Sequence, residues 1–147
     1  MVFTKRAYDI SRKKVFFCNT TDSLNSVADK MHMNNIGSIL VKKGGSIKGI
    51  ITVNDMMRTM SKNKEPKTTL AEDIMSYPVV TISKDTEVDE LAEKFTKEKV
   101  SRMVLVDSRD NVVGIVRDIA VYKCISLNKY NIEAKKRFGE DYSRPLY

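Results

Sequence analysis

The chain matches itself at an offset of 64 residues, position 7 falling on position 71, and this self-match restricts its fold more than any other feature. Ala7-Tyr8-Asp9-Ile10 falls on Ala71-Glu72-Asp73-Ile74, and Val15 on Val79. Leu24, Val27, Ala28 and Met31 fall on Val88, Leu91, Ala92 and Phe95. Both sets keep the spacing of a helix that buries one face. Thr21-Asp22-Ser23 and Asp85-Thr86 precede them and supply capping side chains.

Two strand signals follow in each copy. Ser38-Ile39-Leu40-Val41 and Arg102-Met103-Val104-Leu105-Val106 read as buried strands. The turns behind them are Lys43-Gly44-Gly45-Ser46 and Asp107-Ser108-Arg109-Asp110-Asn111, the second one residue longer. Gly49-Ile50-Ile51 therefore meets Gly114-Ile115-Val116, and Met56, Met57 and Met60 of a last helix meet Val121, Tyr122 and Ile125. One such unit, about 55 residues long, buries too little surface to hold a core alone, whereas two packed together bury enough. The expected fold is α/β: two tandem βαββα motifs packed sheet-to-sheet with pseudo-two-fold symmetry. Residues 7–62 form motif 1, 63–70 a polar linker containing Pro66, 71–127 motif 2, and 128–147 a basic C-terminal tail. Ile132 to Phe138 predicts a short helix within that tail.

Composition narrows the function. The chain is 41% apolar and 31% charged, too hydrophobic for disorder, and no apolar run is long enough to span a bilayer. Met1 to Arg6 lacks the apolar stretch of a secretory signal. Cys18 and Cys124 stand far apart without a CxxC partner, which fits a reduced, cytoplasmic location, although spacing leaves a disulfide between them open. No nucleophile elbow, zinc-protease motif, P-loop or dinucleotide fingerprint occurs, and no carboxylate pair has acid–base spacing, so no catalytic residue is expected. His32 is the sole histidine, and no metal site is expected around it. Gly44-Gly45 has no following Lys-Ser/Thr and reads as a hairpin turn. The net charge of +7 favours phosphorylated ligands or nucleic acid.

The doubled βαββα order, Asp73-Ile74-Met75, and Gly49-Ile50-Ile51-Thr52-Val53-Asn54-Asp55 together resemble the CBS-domain pair, or Bateman module, over roughly residues 7–127. The resemblance implies a stand-alone regulatory module that binds AMP, ADP, ATP or S-adenosylmethionine between its repeats and modulates a partner protein of unknown identity. It implies that Asp55 grips the ribose hydroxyls, as a carboxylate accepts two hydrogen bonds from a vicinal diol. It implies that Thr52 touches phosphate or ribose at a strand-to-helix turn, that Val15, Phe16, Ile36 and Gly37 form an adenine slot, and that Ser101 and Arg102 of the other repeat supply the phosphate cation. Thr52 and Asp55 are equally suited to cap the helix behind them, and the two roles are compatible. Repeat 2 departs from the pattern: Arg117 stands where Thr52 stood and Ala120 where Asp55 stood, so one competent site is expected. Arg117 or Asp118 making a different site is the lesser alternative. The resemblance also implies a homodimer. Two other readings stay open: nucleic-acid binding through the basic ends with Tyr130, Phe138, Tyr142 and Tyr147, and a scaffold without ligand.

Overall fold

The helix-spaced faces and short apolar runs form two three-stranded sheets with their helices, seen in a computed structural model that describes residues 5–138. The expectations for residues 1–4 and for Tyr142 and Tyr147 lie outside the described residues. Repeat 1 runs β1 (Phe17–Asn19), α1 (Leu24–Met33), β2 (Ser38–Lys43), β3 (Ser46–Thr52) and α2 (Val53–Ser61). Repeat 2 opens on a short helix, α3 (Ala71–Ile74), whose counterpart in repeat 1 is a 3-10 turn at Ala7–Ile10. It continues as β4 (Thr81–Ser83), α4 (Val88–Glu98), β5 (Arg102–Val106), β6 (Val112–Arg117) and α5 (Asp118–Phe138). The sheets are ordered β1-β2-β3 and β4-β5-β6. In each, the first pair is parallel across a helical crossover and the second is an antiparallel hairpin. Gly44, at φ +61°, makes the first hairpin turn, where a side chain would be strained.

The compact units are cut differently from the repeats. Residues 14–79 form one, and residues 5–13 with 80–138 form the other. The cause lies in the short segment leading each repeat, which bonds to the hairpin and crossover of the other copy. In the first-repeat unit (residues 14–79), Leu24 N donates to Thr69 O at 2.8 Å, Ala71 N to Asp22 O at 2.8 Å, and Ile50 and Ser76 exchange two backbone bonds at 3.0 and 2.9 Å. In the second-repeat unit, Val88 N donates to Lys5 O at 3.1 Å, Ala7 N to Thr86 O at 2.8 Å, and Ile115 and Arg12 exchange two at 2.9 Å. The two bond sets are the same set at the repeat offset. Asp9 and Asp73 hold the leading segments in shape by accepting from Arg6 N at 2.8 Å and Leu70 N at 3.0 Å.

Each unit has its own core. Val27, Met31, Ile39, Val41 and Ile51 close around Ala71 and Ile74 in one. Leu91, Phe95, Met103, Leu105 and Val116 close around Ala7 and Val121 in the other. Cys18 and Cys124 are free and buried, and burial pushes the Cys18 thiol up to about 11, leaving it uncharged and a poor nucleophile near neutral pH. The tail expected from residue 128 starts inside α5, because no glycine or proline between Gly114 and Gly139 stops that helix. Among the described residues, no helix is long and apolar enough to cross a membrane.

The leading segments pass so close to β3 and β6 that only glycine fits beneath them. A Cβ on Gly49 would stand 2.8 Å from the Ser76 carbonyl oxygen and 2.6 Å from Met75 Sδ; one on Gly114 would stand 3.0 Å from the Arg12 carbonyl oxygen. Gly49→Ala is expected to cost about 1–3 kcal/mol, and Gly114→Ala somewhat less. Gly45→Ala, with nothing within 4 Å, should stay within about 0.5 kcal/mol of the parent. Urea midpoints of the three variants check this ranking.

Candidate functional site

Thr52 ends β3 and opens α2, so its unpaired helix N-terminus needs acceptors. Asp55 provides them from the third helical position. Its Oδ2 accepts from Thr52 N at 2.8 Å and from Thr52 Oγ1 at 3.1 Å, while Thr52 Oγ1 receives Asp55 N at 3.4 Å. This is a reciprocal capping box. The other oxygen, Oδ1, carries two looser contacts: Ser76 Oγ donates at 3.2 Å and Arg58 Nη1 lies at 3.5 Å. Asp55 is 3% exposed, whereas the Arg58 side chain is 61% exposed. A buried carboxylate is thus held by one helix turn, one exposed arginine and the leading segment of the next repeat.

The remaining expected residues of this unit gather at the same end of the sheet. Ser38 is the register partner of Thr52, and Val53 N donates to Gly37 O at 3.2 Å. Phe16 O accepts from Leu40 N at 3.0 Å, so the parallel pairing of β1 and β2 continues backwards and sets Val15 level with Ser38. Val15 and Phe16 are half-buried, and Lys14 Nζ lies 5.2 Å above the Phe16 ring. Ile36 is buried in the core beside them. Val15, Phe16, Ile36, Gly37, Thr52 and Asp55 therefore share one sheet end.

Ser101 and Arg102 occupy the matching end of the sheet in the second-repeat unit. Asp118 N donates to Ser101 O at 3.0 Å, the counterpart of the Val53–Gly37 bond. Arg102 Nη1 donates to Ser101 Oγ at 3.4 Å. Arg117 is the cross-strand partner of Arg102, and Asp118 turns its Oδ1 to Ile119 N at 2.7 Å. Ala120, at the place of Asp55, offers no carboxylate.

Sequence reasoning missed Arg58 and Ser76. Arg58 was findable, since a cation three residues after a helical carboxylate lies beside it. Ser76 is separated from Asp55 by 21 residues and carried no signal beyond following Asp-Ile-Met. An apolar groove of about 470 Å³ opens between α1 and α2, lined in part by Leu24, Met31, Ile36, Val53, Met56 and Met60; Thr52 and Asp55 do not line it. No group of three or more metal-binding side chains occurs among the described residues.

The CBS domain family model matches residues 7–62 and 71–126. Protein MK0525 of Methanopyrus kandleri is 33% identical over 111 residues, covering 74% of this chain and 56% of that protein. L-aspartate semialdehyde sulfurtransferase of Methanocaldococcus jannaschii is 32% identical over 109 residues, 74% of this chain and 21% of the enzyme. The chain thus spans little more than half of the one and about a fifth of the other. The solved CBS domain pair of protein MJ0100, in complex with 5′-methylthioadenosine and S-adenosyl-L-methionine, superposes with a TM-score of 0.73 at 27% identity over 85% of this chain and 98% of that one. A CBS domain protein of Thermoplasma acidophilum, TA0289, superposes at 0.74 with 20% identity over 92% of this chain and 78% of that one, which shows the shared fold.

Because Thr52 and Asp55 cap α2 from both sides, Thr52→Ala should cost about 1–2 kcal/mol. Ser76→Ala, which removes one exposed donor, should cost under about 1 kcal/mol. Urea unfolding at unchanged slope checks both.

Proposed function

The chain belongs to the CBS domain family, and from that premise we propose that it is a regulatory module, not an enzyme, that binds an adenosine-containing ligand and alters its grip on another protein. The carrying observation is the Asp55 carboxylate, held at a strand-to-helix turn with one oxygen saturated and the other in two long contacts. A ribose diol donates to Oδ1 in place of the Ser76 hydroxyl, and Arg58 swings into solvent. Thr52 and the backbone of Ile36-Gly37 stand beside it, with Val15 and Phe16 as apolar walls. The related MJ0100 pair, complexed with two adenosyl compounds, supports that ligand class. AMP, ADP, ATP and S-adenosylmethionine are the candidates.

Nucleic-acid binding is less well supported. It was expected through the basic ends with Tyr130, Phe138, Tyr142 and Tyr147, whose side chains lie outside what is described, so no observation of the structure speaks for it. Free, buried thiols suit a cytoplasmic location. A homodimer formed through the α1/α2 face would cover Val53 and Met60 of the groove lining and the neighbouring Met57, which are 48%, 70% and 62% exposed.

Titration calorimetry with the four ligands tests the reading. Asp55→Asn, which keeps an acceptor for the cap, should weaken the best ligand at least about tenfold through loss of charge-assisted bonds. Unchanged affinity sinks the ribose role. Met60→Asp should convert a dimer to a monomer in sedimentation velocity, and an unaffected dimer would place the interface elsewhere.

A further inference from the structure

At the repeat offset Ser76 corresponds to Arg12, and the two residues share one backbone arrangement. Ser76 exchanges two bonds with Ile50 at 3.0 and 2.9 Å, as Arg12 does with Ile115 at 2.9 Å. Their side chains differ in what they reach. Ser76 Oγ donates to Asp55 Oδ1 at 3.2 Å, whereas Ala120 takes the place of Asp55 in repeat 2. The second-repeat unit is thus closed by the backbone pair without this side-chain latch, so the fold does not require one. The latch also sits at an exit. Among the described residues, Ser76 is the last of unit 14–79 to make a backbone bond; Tyr77 and Pro78 are exposed, and the other unit resumes at residue 80. Upstream, the same segment is held by the fully buried Ala71, whose N donates to Asp22 O at 2.8 Å, and by Glu72 N on Thr20 O at 3.0 Å. Its near end is fixed in the core, and its far end hangs on Ser76.

We infer that Ser76 is the relay of the Asp55 site: a ligand that takes Asp55 Oδ1 displaces the Ser76 hydroxyl and loosens the chain where it leaves the first-repeat unit. The inference rests on the ribose role of Asp55 proposed above and adds the regulation of that site. A carboxylate oxygen offers two lone pairs, and those of Oδ1 face Ser76 Oγ at 3.2 Å and Arg58 Nη1 at 3.5 Å. A vicinal diol brings two donors, so both present contacts give way. Arg58 lies on α2 itself, three residues from Asp55, and its release frees no other segment. Ser76 lies 21 residues away, on the segment that leads onward, and its release is felt there. Ligand and latch compete for one oxygen, so whatever the latch takes from ligand affinity, the ligand takes from the latch by the same factor. Every residue in this relay belongs to the first-repeat unit.

The test combines amide hydrogen exchange with titration calorimetry on the full chain, using AMP, ADP, ATP and S-adenosylmethionine as probes, for the wild type, Ser76→Ala and Ser76→Thr. Without ligand, Ser76→Ala should exchange the Ser76 and Ile50 amides about two- to tenfold faster, while the Ala71 and Glu72 amides keep their wild-type rates. A bound probe should speed the same two amides in the wild type and add nothing further in Ser76→Ala. That variant has no latch to displace, so it should bind the probe about two- to tenfold more tightly. A merely structural serine would leave binding unchanged or weaken it. Ser76→Thr keeps the hydroxyl and should match the wild type in both measurements. Equal or lower affinity in Ser76→Ala, unchanged exchange at Ser76 and Ile50, or a Ser76→Thr that behaves like Ser76→Ala overturns the relay. Probe binding that leaves those two amides unmoved in the wild type overturns the relay and keeps the adenosine reading; a wild type that binds none of the four overturns both.

Discussion

The bonding of two short leading segments, residues 5–12 and 69–76, is the constraint on which the rest of this structure depends. Each does three jobs in its unit at once. It covers the edge of a hairpin strand, through Ser76 on Ile50 and Arg12 on Ile115, where open backbone groups would otherwise invite other strands. It inserts a fully buried alanine, Ala71 or Ala7, into the core. It also supplies a carbonyl to the first amide of a long helix, Leu24 of α1 or Val88 of α4, which has no partner within its own helix. Sheet edge, core and helix start are closed by the same eight residues. A change that lifts one of these segments therefore disturbs all three, and the glycine beneath each crossing is the smallest part that can do so.

The candidate site is a by-product of that crossing. Ser76 reaches Asp55 because its backbone is bonded to Ile50, two residues before β3 ends at Thr52, the capping partner of Asp55. The carboxylate consequently reports on two things: the start of α2, through Oδ2, and the leading segment of repeat 2, through Oδ1. A ligand that competes for Oδ1 acts on the contact that steadies the chain as it enters the next repeat. Coupling of this kind needs a contact whose free energy differs between two states, and the Ser76–Asp55 bond is the contact that such a ligand would displace.

Most of the scaffold was legible because it rests on local rules. The period-3.6 faces of α1 and α4, the Gly44 turn and the Thr52/Asp55 cap each follow from residues within a turn or two of one another. What failed was long-range. Ala7-Tyr8-Asp9-Ile10 reads as the start of its own repeat, yet its Ala7 and Tyr8 amides donate to the carbonyls of Thr86 and Lys84, about 80 positions away. Periodicity is blind to such pairing, since it reports which face is buried and not against what. The extent of α5 was a different error. Its apolar positions thin out after Leu127, but the absence of any breaker before Gly139 was the stronger signal, because a helix already nucleated continues until something stops it. At the site, Thr52 and Asp55 were visible by motif, Arg58 by helical spacing, and Ser76 by neither.

The two hairpin ends differ in side chains and not in backbone. Their backbones are the same, down to the flanking bonds from Val53 to Gly37 and from Asp118 to Ser101, so the fold treats positions 38 and 52 as it treats 102 and 117. Side chains there stand at the margin of the core, and packing leaves their identity largely free. Residues that neither packing nor backbone dictates are the ones through which two copies of a scaffold can take different chemical parts. Repeat 1 has placed hydroxyls and a carboxylate at its strand end, groups suited to neutral donors and sugar hydroxyls; repeat 2 has placed two arginines, suited to anions.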